Sequence, residues 1–354
     1  MSVRYIGSKA RVAETIVELA GDTDGRFVDA FCGSGAVGAE ASRRGWPVLL
    51  NDSMPSAVAM ATGAVVRAQD VPFVRLGGYA QACATLNRLP GAAGFVHDQY
   101  SPASLRVAGT ERRYFTTANA ACLDAMRREI GAWAHEGLLT VVERQLLLAD
   151  LMQAANRVAN ISGTYGCFLS RWSPSALRPV RLHVRALPPG TSSFQAVVGD
   201  VFDLETNETD VVYFDPPYTK RQYAAYYHVL ETLTAGDEPE VDGVTGLRPW
   251  RDKASDFCYK SRAFDALTRL VTQTRARRIL LSYSNEGHVD RDRLVAALIE
   301  VGPVRIHEVK TIGRYRPNVA AGAAGDSVNE YVIEVAPVHV TDGPREPEPE
   351  VVYA

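Results

Sequence analysis

Val211-Val212-Tyr213-Phe214-Asp215-Pro216-Pro217-Tyr218 is the stretch on which the reading of this chain turns. Four apolar residues, β-branched and then aromatic, have the composition of a buried strand. Two consecutive prolines stop it, because neither can donate to a ladder. A carboxylate, a backbone carbonyl with no neighbouring N–H and an aromatic ring therefore leave the strand together. In open α/β sheets ligands bind outside the carboxyl ends of the strands, so Asp215–Tyr218 sits where chemistry is done. Its groups suit the gripping of a planar amino group. Standing alone, the same four residues would equally be a strand that ends in a turn.

Phe27-Val28-Asp29-Ala30-Phe31-Cys32-Gly33-Ser34-Gly35-Ala36-Val37-Gly38 supplies the second half of the pattern. It predicts a strand, a tight glycine loop and a helix, with Gly33 and Gly35 allowing a sharp turn and a close ligand approach ahead of the helix amino end. A Gly-x-Gly of this kind serves a nucleotide, a dinucleotide or only a turn. Val48-Leu49-Leu50 then runs into Asn51-Asp52. An acid about twenty residues past such a loop is placed to accept from ribose hydroxyls. With few nearby cationic or further glycine features for phosphates, a ribose-bearing ligand without them, such as S-adenosylmethionine, fits better than a dinucleotide.

The periodicity predicts strands near residues 27–32, 47–51, 194–199, 210–215, 278–283, 303–310 and 329–335, and helices over 8–20, 36–45, 54–67, 112–134, 138–159, 222–234, 261–276 and 289–301. This is an α/β chain with a Rossmann-like, mixed but mostly parallel seven-stranded sheet. Residues 1–69 and 191–337 form its catalytic, cofactor-binding domain. The mostly helical stretch 70–190 interrupts the strand alternation as an insertion, and 338–354 reads as a disordered, acidic, proline-rich tail.

The formal charge of −3 is not that of a non-specific DNA binder. Its distribution says more: between Tyr100 and Gly190 eleven arginines face six acids, a net of +5. Arginine forks suit phosphates and guanine edges, although an isolated arginine is usually just solvated. Asn160–Trp172 is glycine-rich and punctuated by aromatics, so it is either a helix-to-loop cap packed on the core or a backbone that passes close to nucleic acid, with Tyr165, Arg171 and Trp172 as candidate contacts. Five scattered cysteines, with no Cys-x-x-Cys pair, argue against a disulfide framework or a zinc site. No metal and no membrane are expected. A catalytic-looking motif within nine residues of the start leaves no room for a signal peptide, and a cytoplasmic, nucleoid-associated protein of prokaryotic or phage type is expected.

Together these residues resemble the Dam-like class of DNA adenine-N6 methyltransferases, with motifs in the order called α. The resemblance spans most of residues 1–335 and begins at Arg4-Tyr5-Ile6-Gly7-Ser8-Lys9. It implies cofactor roles for Tyr5, Lys9, Asp29, Phe31, Gly33, Gly35 and Asp52, with Asp200 and Val201 at the cofactor adenine. It implies catalytic roles for Asp215, Pro216, Pro217 and Tyr218. Arg221-Gln222-Tyr223, Tyr226 to Thr232 and Gly243 to Arg248 look like the methylase halves of type IIS restriction systems. Ser34-Gly35 replaces the commoner loop residues after Cys32-Gly33, which keeps the turn.

What the resemblance implies is S-adenosylmethionine as cofactor, double-stranded DNA as substrate, a cognate restriction endonuclease as partner, and 70–190 as the target-recognition region. The target adenine would be flipped out of the duplex and stacked on Tyr218. Lys220, Arg221, Tyr223 and Arg314 would join Tyr165, Arg171 and Trp172 at the DNA, with Tyr283 or Asn285 at the base pocket. His228 and Glu231 are spaced to pair on one helical face, and for His228 a structural hydrogen bond is expected over acid–base work. Cytosine-N4 or RNA adenine methylation stays open, because an exocyclic amino group on either poses the same problem to the same tetrapeptide.

Overall fold

The computed structural model describes residues 6–309, 330–338 and 351–353. Eight strands form one sheet: β1 (Phe27–Asp29), β2 (Val48–Asp52), β3 (Phe194–Val198), β4 (Val211–Phe214), β5 (Arg278–Ser284), β6 (Val304–Val309), β7 (Glu330–Val335) and β8 (Val351–Tyr353). Their order is β3-β2-β1-β4-β5-β7-β6-β8. The run from β3 to β5 is parallel, and β7 lies antiparallel between β5 and β6. All seven expected strands are present.

The eighth strand corrects the expectation of a wholly disordered tail. Val351–Tyr353 pairs parallel with β6, Val304 opposite Val351. The Pro-Glu composition of 341–350 masked a Val-Val-Tyr triplet, and β6 would otherwise present an open edge of unpaired N–H and C=O groups. Residues 339–350 lie outside the described residues.

Alternate residues of each strand face opposite layers, as a sheet buried on both sides requires. Phe27, Val48, Leu50, Val211 and Tyr213 pack on α1 (Ala13–Ala20), α2 (Ala36–Arg43) and α3 (Pro55–Val65). Val28, Leu49, Val212, Phe214 and Ile279 pack on α11 (Ala263–Gln273) and α12 (Arg291–Leu298). The insertion adds a third layer: α4 (Tyr79–Arg88), α5 (Phe95–Tyr100), α6 (Ser104–Ala108), α7 (Thr117–His135) and α8 (Val141–Val158). Periodicity had predicted only two helices between residues 70 and 190; α4, α5 and α6 are short and carry few buried apolar positions.

The insertion shares one core with α3 and with α9 (Tyr223–Tyr226) and α10 (His228–Ala235), which follow the tetrapeptide. Helix α3 is the joint. It is buried on nearly every face, and its small residues let neighbours approach closely: a Cβ on Gly63 would lie 2.7 Å from that of Ala149 on α8. Helix α8 begins with a reciprocal cap between Thr140 and Glu143. The same Glu143 carboxylate accepts the N–H of Phe73, whose φ of 50° is the one positive value at a non-glycine among the described residues.

Glu143→Ala should therefore remove a helix cap and leave the buried Phe73 N–H unsatisfied, costing about 2–4 kcal/mol. Chemical denaturation measures this, and a loss below about 1 kcal/mol would show that neither role matters.

Candidate active site

Strand β1 sends the chain to β2 on one side of the sheet, while β4 leads to β5 on the other. The β1/β4 junction is therefore a topological switch point, where the strand ends open into a crevice. The glycine loop leaves β1 there and Asp215–Tyr218 leaves β4. The crevice is an open cleft with about 770 Å³ of empty space to its mouth. Lys9, Asp29, Phe31, Gly33, Asp52, Asp215, Pro217 and Tyr223 all line it.

Asp215 is anchored by an ion pair: Lys9 Nζ lies 2.9 Å from its Oδ1, and only 5% of the lysine side chain is exposed. Burial pushes the Asp215 carboxyl up, and the ammonium beside it pulls it back toward ionisation. Burial also works against the Lys9 charge, but Asp215, followed by Tyr218 and Glu330, more than offsets it, so its pKa is raised. The segment carrying Lys9 is stitched down by the helices that follow the tetrapeptide. Tyr227 Oη accepts the Ile6 N–H at 2.7 Å, and Tyr223 Oη donates to the Ile6 carbonyl at 3.2 Å. Gly7, at φ 74°, has no room for a Cβ, which would meet Tyr223 Oη at 2.9 Å.

The glycine loop is held by carboxylates from the strand ends. Asp52 accepts the N–H groups of Gly33 (3.1 Å) and Met54 (3.0 Å). Asp29 accepts the Gly38 N–H at 2.9 Å and so caps the first turn of α2. Burial pushes Asp29 up to about 7, and the nearby Asp215 and Asp52 add to this, against the Gly38 hydrogen bond. Burial pushes Asp52 up to about 6 against its two backbone donors. Gly35 does not line the cleft. It stands at φ 76°, and a Cβ there would be 2.4 Å from Ala61 Cα, so close packing on α3 demands the glycine. Phe31 meets Phe214 and Phe257 edge-on, and Phe202 stacks behind Phe257.

Tyr218 stands beside the cleft. Tyr283 meets its ring edge-on at 5.8 Å, Lys9 Nζ lies 5.7 Å from the ring centroid, and its hydroxyl is 3.4 Å from Glu330 on β7. Tyr283 is itself buried behind that ring, and its hydroxyl accepts the Val289 N–H. Pro216 is buried, while Asp200 is exposed and spends its carboxylate on the Phe202 N–H; neither they nor Val201 line the cleft.

Lining residues to which the sequence assigned no role include Met54, Gln222, Lys253 and Ser255. Gln222 and Ser255 exchange two hydrogen bonds, of 3.1 and 2.9 Å. Lys253 pairs with Glu231 at 3.4 Å, and Glu231 also accepts the Ser56 N–H at the start of α3. Lys253 and Ser255 sit in an aperiodic stretch, so no pattern marked them. The expected His228–Glu231 pair is accordingly not formed. His228 instead bonds the Tyr165 carbonyl through Nε2 at 2.9 Å, and burial lowers its pKa to about 4: a structural hydrogen bond, as expected.

Tyr165 needs correcting as a DNA contact. It is fully buried, and its backbone binds Tyr226, Tyr114 and His228, because the aromatics of that loop fill the insertion's core. Arg171, Lys220 and Arg221 are exposed, and Trp172 is half-buried. Tyr223 belongs to the cleft. Tyr5 and Arg314 lie outside the described residues. The +5 of the insertion also overstates its free charge: Arg112 and Arg127 are buried, Arg112 holding the Gly243 and Val244 carbonyls and Arg127 pairing with Asp124. Among the described residues no His, Cys, Asp and Glu cluster could hold a metal, and no helix is long and apolar enough to cross a membrane.

The fold and the cleft define a methyltransferase of Rossmann-like architecture, and the profile of the D12 class N6 adenine-specific DNA methyltransferases matches residues 5–296. The type II methyltransferase M.FokI of Planomicrobium okeanokoites is 34% identical over 300 residues, covering 80% of this chain and 45% of its own. The type II methyltransferase M.NlaIII of Neisseria lactamica is 32% identical over 310 residues, 86% of each. The type II methyltransferase M.CviAII of Paramecium bursaria Chlorella virus 1 is 29% identical over 341 residues, 94% of this chain and 98% of its own. The chain spans about half the length of M.FokI and of the modification methylase StsI of Streptococcus sanguinis. It belongs to the D12 class of N6 adenine-specific DNA methyltransferases. Membership implies a methyl donor and DNA.

Asp29 gives a pH-dependent prediction. Its folded pKa of about 7 lies above its unfolded value of about 4. The carboxylate therefore destabilises the fold increasingly as pH rises between those values, and by its full amount above about 7. Asp29→Asn keeps an acceptor for Gly38 and should melt a few degrees above the parent protein at pH 8 without cofactor. That advantage should shrink toward pH 4. A lower melting temperature at pH 8 would mean that the ionised carboxylate is favoured in the fold.

Proposed function

We propose that this chain transfers a methyl group from S-adenosylmethionine to the exocyclic N6 of an adenine flipped out of duplex DNA, at a specific site, as the modification enzyme of a cytoplasmic restriction-modification system with a cognate endonuclease. The observation that carries this is Asp215, held by buried Lys9 at the carboxyl end of β4, next to the Pro216 carbonyl and facing the glycine-loop cleft. Several relatives bear the name type II methyltransferase or modification methylase.

The residues present fit this donor. Gly33, at φ 49°, gives a closely approachable turn, and Asp52 is a carboxylate with lone pairs beyond those used by its two backbone donors. Asp52 would hold the ribose, Phe31 would pack beside the cofactor, and Asp29 and Gly35 would shape its loop. Lys9 would adjoin its methionine end, Tyr5 would pack near the cofactor, and Asp200 and Val201 would lie toward its adenine. When bound, S-adenosylmethionine supplies an electrophilic methyl group on a sulfonium.

The amino nitrogen of adenine is a weak nucleophile because its lone pair is delocalised into the ring. Asp215 accepts one amino hydrogen and the Pro216 carbonyl the other, which localises that lone pair. The Asp215 carboxylate, fixed in place before reaction, then stabilises the positive charge that develops on nitrogen. Lys9 opposes the loss of charge that burial imposes on Asp215. Tyr218, backed by Tyr283, offers a stacking face that recovers roughly 1–3 kcal/mol of the cost of flipping. Residues 1–69 with 191–337 are the catalytic domain and 70–190 the target-recognition region, with Arg171, Trp172, Lys220 and Arg221 presented to DNA.

Transfer of labelled methyl from S-adenosylmethionine to unmodified duplex DNA, followed by nucleoside analysis, tests this. The expected product is N6-methyladenine, falling about 10²–10³-fold in Asp215→Ala. N4-methylcytosine, or methylation of RNA in place of DNA, would overturn the adenine-DNA assignment. Lys9→Met should move the acid limb of the pH–rate profile to higher pH, because burial then acts on Asp215 unopposed. An unshifted limb would mean that Lys9 does not set that ionisation.

A further inference from the structure

Residues 151–199 contain no aspartate or glutamate, although 41 acids in 354 residues would place about six there at the chain's average. The same stretch carries Arg157, Arg171, Arg178, Arg181 and Arg185. Arg185 is used internally, on Asp150 and the Gly63 carbonyl, and Arg157 binds Gln153. Arg171, Arg178 and Arg181 are exposed and have no ion-pair or hydrogen-bond partner through their guanidinium groups among the described residues.

The backbone beneath these three is unusual. Residues 179–188 belong to no helix or strand, yet side-chain amides hold that run and the turn before it as a neighbouring strand would. Buried Asn119 donates Nδ2 to the carbonyls of Ala176 and Arg178, and its Oδ1 accepts the Val180 N–H at 2.9 Å. Asn87 binds both the N–H and the carbonyl of Leu182, at 2.8 and 2.9 Å. Val180 and Leu182 point into the core, so Arg181 and His183 alternate outward, beside exposed Arg178. The chain leading into this run leaves α9 at Tyr165, whose N–H binds the Tyr226 carbonyl. The run ends at α3, where Arg185 grips Gly63. A loop whose function was merely to connect would not need its main chain fixed by two asparagines while its outward face carries arginines and no acid.

We propose that residues 171–183 form a rigid rail for the phosphate backbone of duplex DNA, with Arg171, Arg178 and Arg181 as its phosphate contacts. The proposal rests on the DNA methyltransferase reading and adds the surface that holds the duplex. Fixing the main chain beforehand leaves only arginine side chains to be ordered when DNA binds. Contacts of this kind supply affinity independent of sequence, through release of condensed counterions.

The test is binding of a fluorescein-labelled mixed-sequence duplex, by anisotropy, between 50 and 200 mM KCl. For Arg178→Ala/Arg181→Ala the slope of log affinity against log salt should become shallower by about 1.8, from about 0.9 per lost phosphate contact. Arg178→Lys/Arg181→Lys should restore it, which separates lost charge from lost folding. Arg106→Ala/Arg144→Ala removes equal charge outside the rail and should leave the slope unchanged. An unchanged slope in the first variant, or an equal change in the last, would overturn the proposal. Because this assay needs no turnover, a rail effect without methyl transfer would sink the enzymatic reading alone.

Discussion

The site depends on the ion pair between Lys9 and Asp215. The parallel strands deliver Asp29, Asp52 and Asp215 to one edge of the sheet, and β7 brings Glu330 beside them. Carboxyls so close and so buried would protonate rather than repel one another, and Asp29 and Asp52 are indeed pushed up to about 7 and about 6. Asp215 has a buried cation in direct contact, which opposes the same drift. Asp215, the acid that the proposed chemistry needs charged, is the one given a partner, and the other two spend their oxygens on backbone N–H groups that shape the glycine loop.

That ion pair in turn requires an anchored Lys9. The anchor is Tyr223 on α9 and Tyr227 at the junction of α9 and α10, which take both hydrogen-bonding groups of Ile6 just beyond the tetrapeptide. The amino-terminal segment and the Asp215–Tyr218 tetrapeptide are thus bound together directly as well as through the sheet. Helix α3 extends the same logic outward: it starts just after Asp52, packs on the glycine loop at Gly35 and on the insertion at Gly63. Its Ser56 N–H also binds Glu231, which holds the cleft-lining Lys253. A shift of the insertion would be felt at both edges of the cleft, because close-packed small residues leave little slack.

Strand positions were legible because a doubly covered parallel sheet demands short apolar runs bounded by turn residues, and every expected strand formed. The cleft residues Asp29, Phe31, Gly33, Asp52 and Asp215 were legible for a related reason: each lies at, or within a few residues of, a strand end or the glycine loop, whereas Lys9, ahead of α1, was marked only by the family resemblance. The short helices of the insertion were not, since helices with few buried positions carry little periodic signal. Nor was the eighth strand, hidden in a tail whose average composition is acidic and proline-rich.

Sequence by itself determined the alternation of strands and helices, the switch-point loop and the carboxylate-proline-proline-tyrosine exit, because each depends on neighbours along the chain. Tertiary structure alone decided which polar groups were spent and which stayed free. It buried Tyr165, turned Arg112 and Arg127 inward, gave Glu231 to Lys253 and Ser56 rather than to His228, and brought Gln222 and Ser255 into the cleft. Those choices depend on residues far apart in sequence meeting in a medium where an unpaired buried polar group is costly, and no local pattern encodes such a meeting.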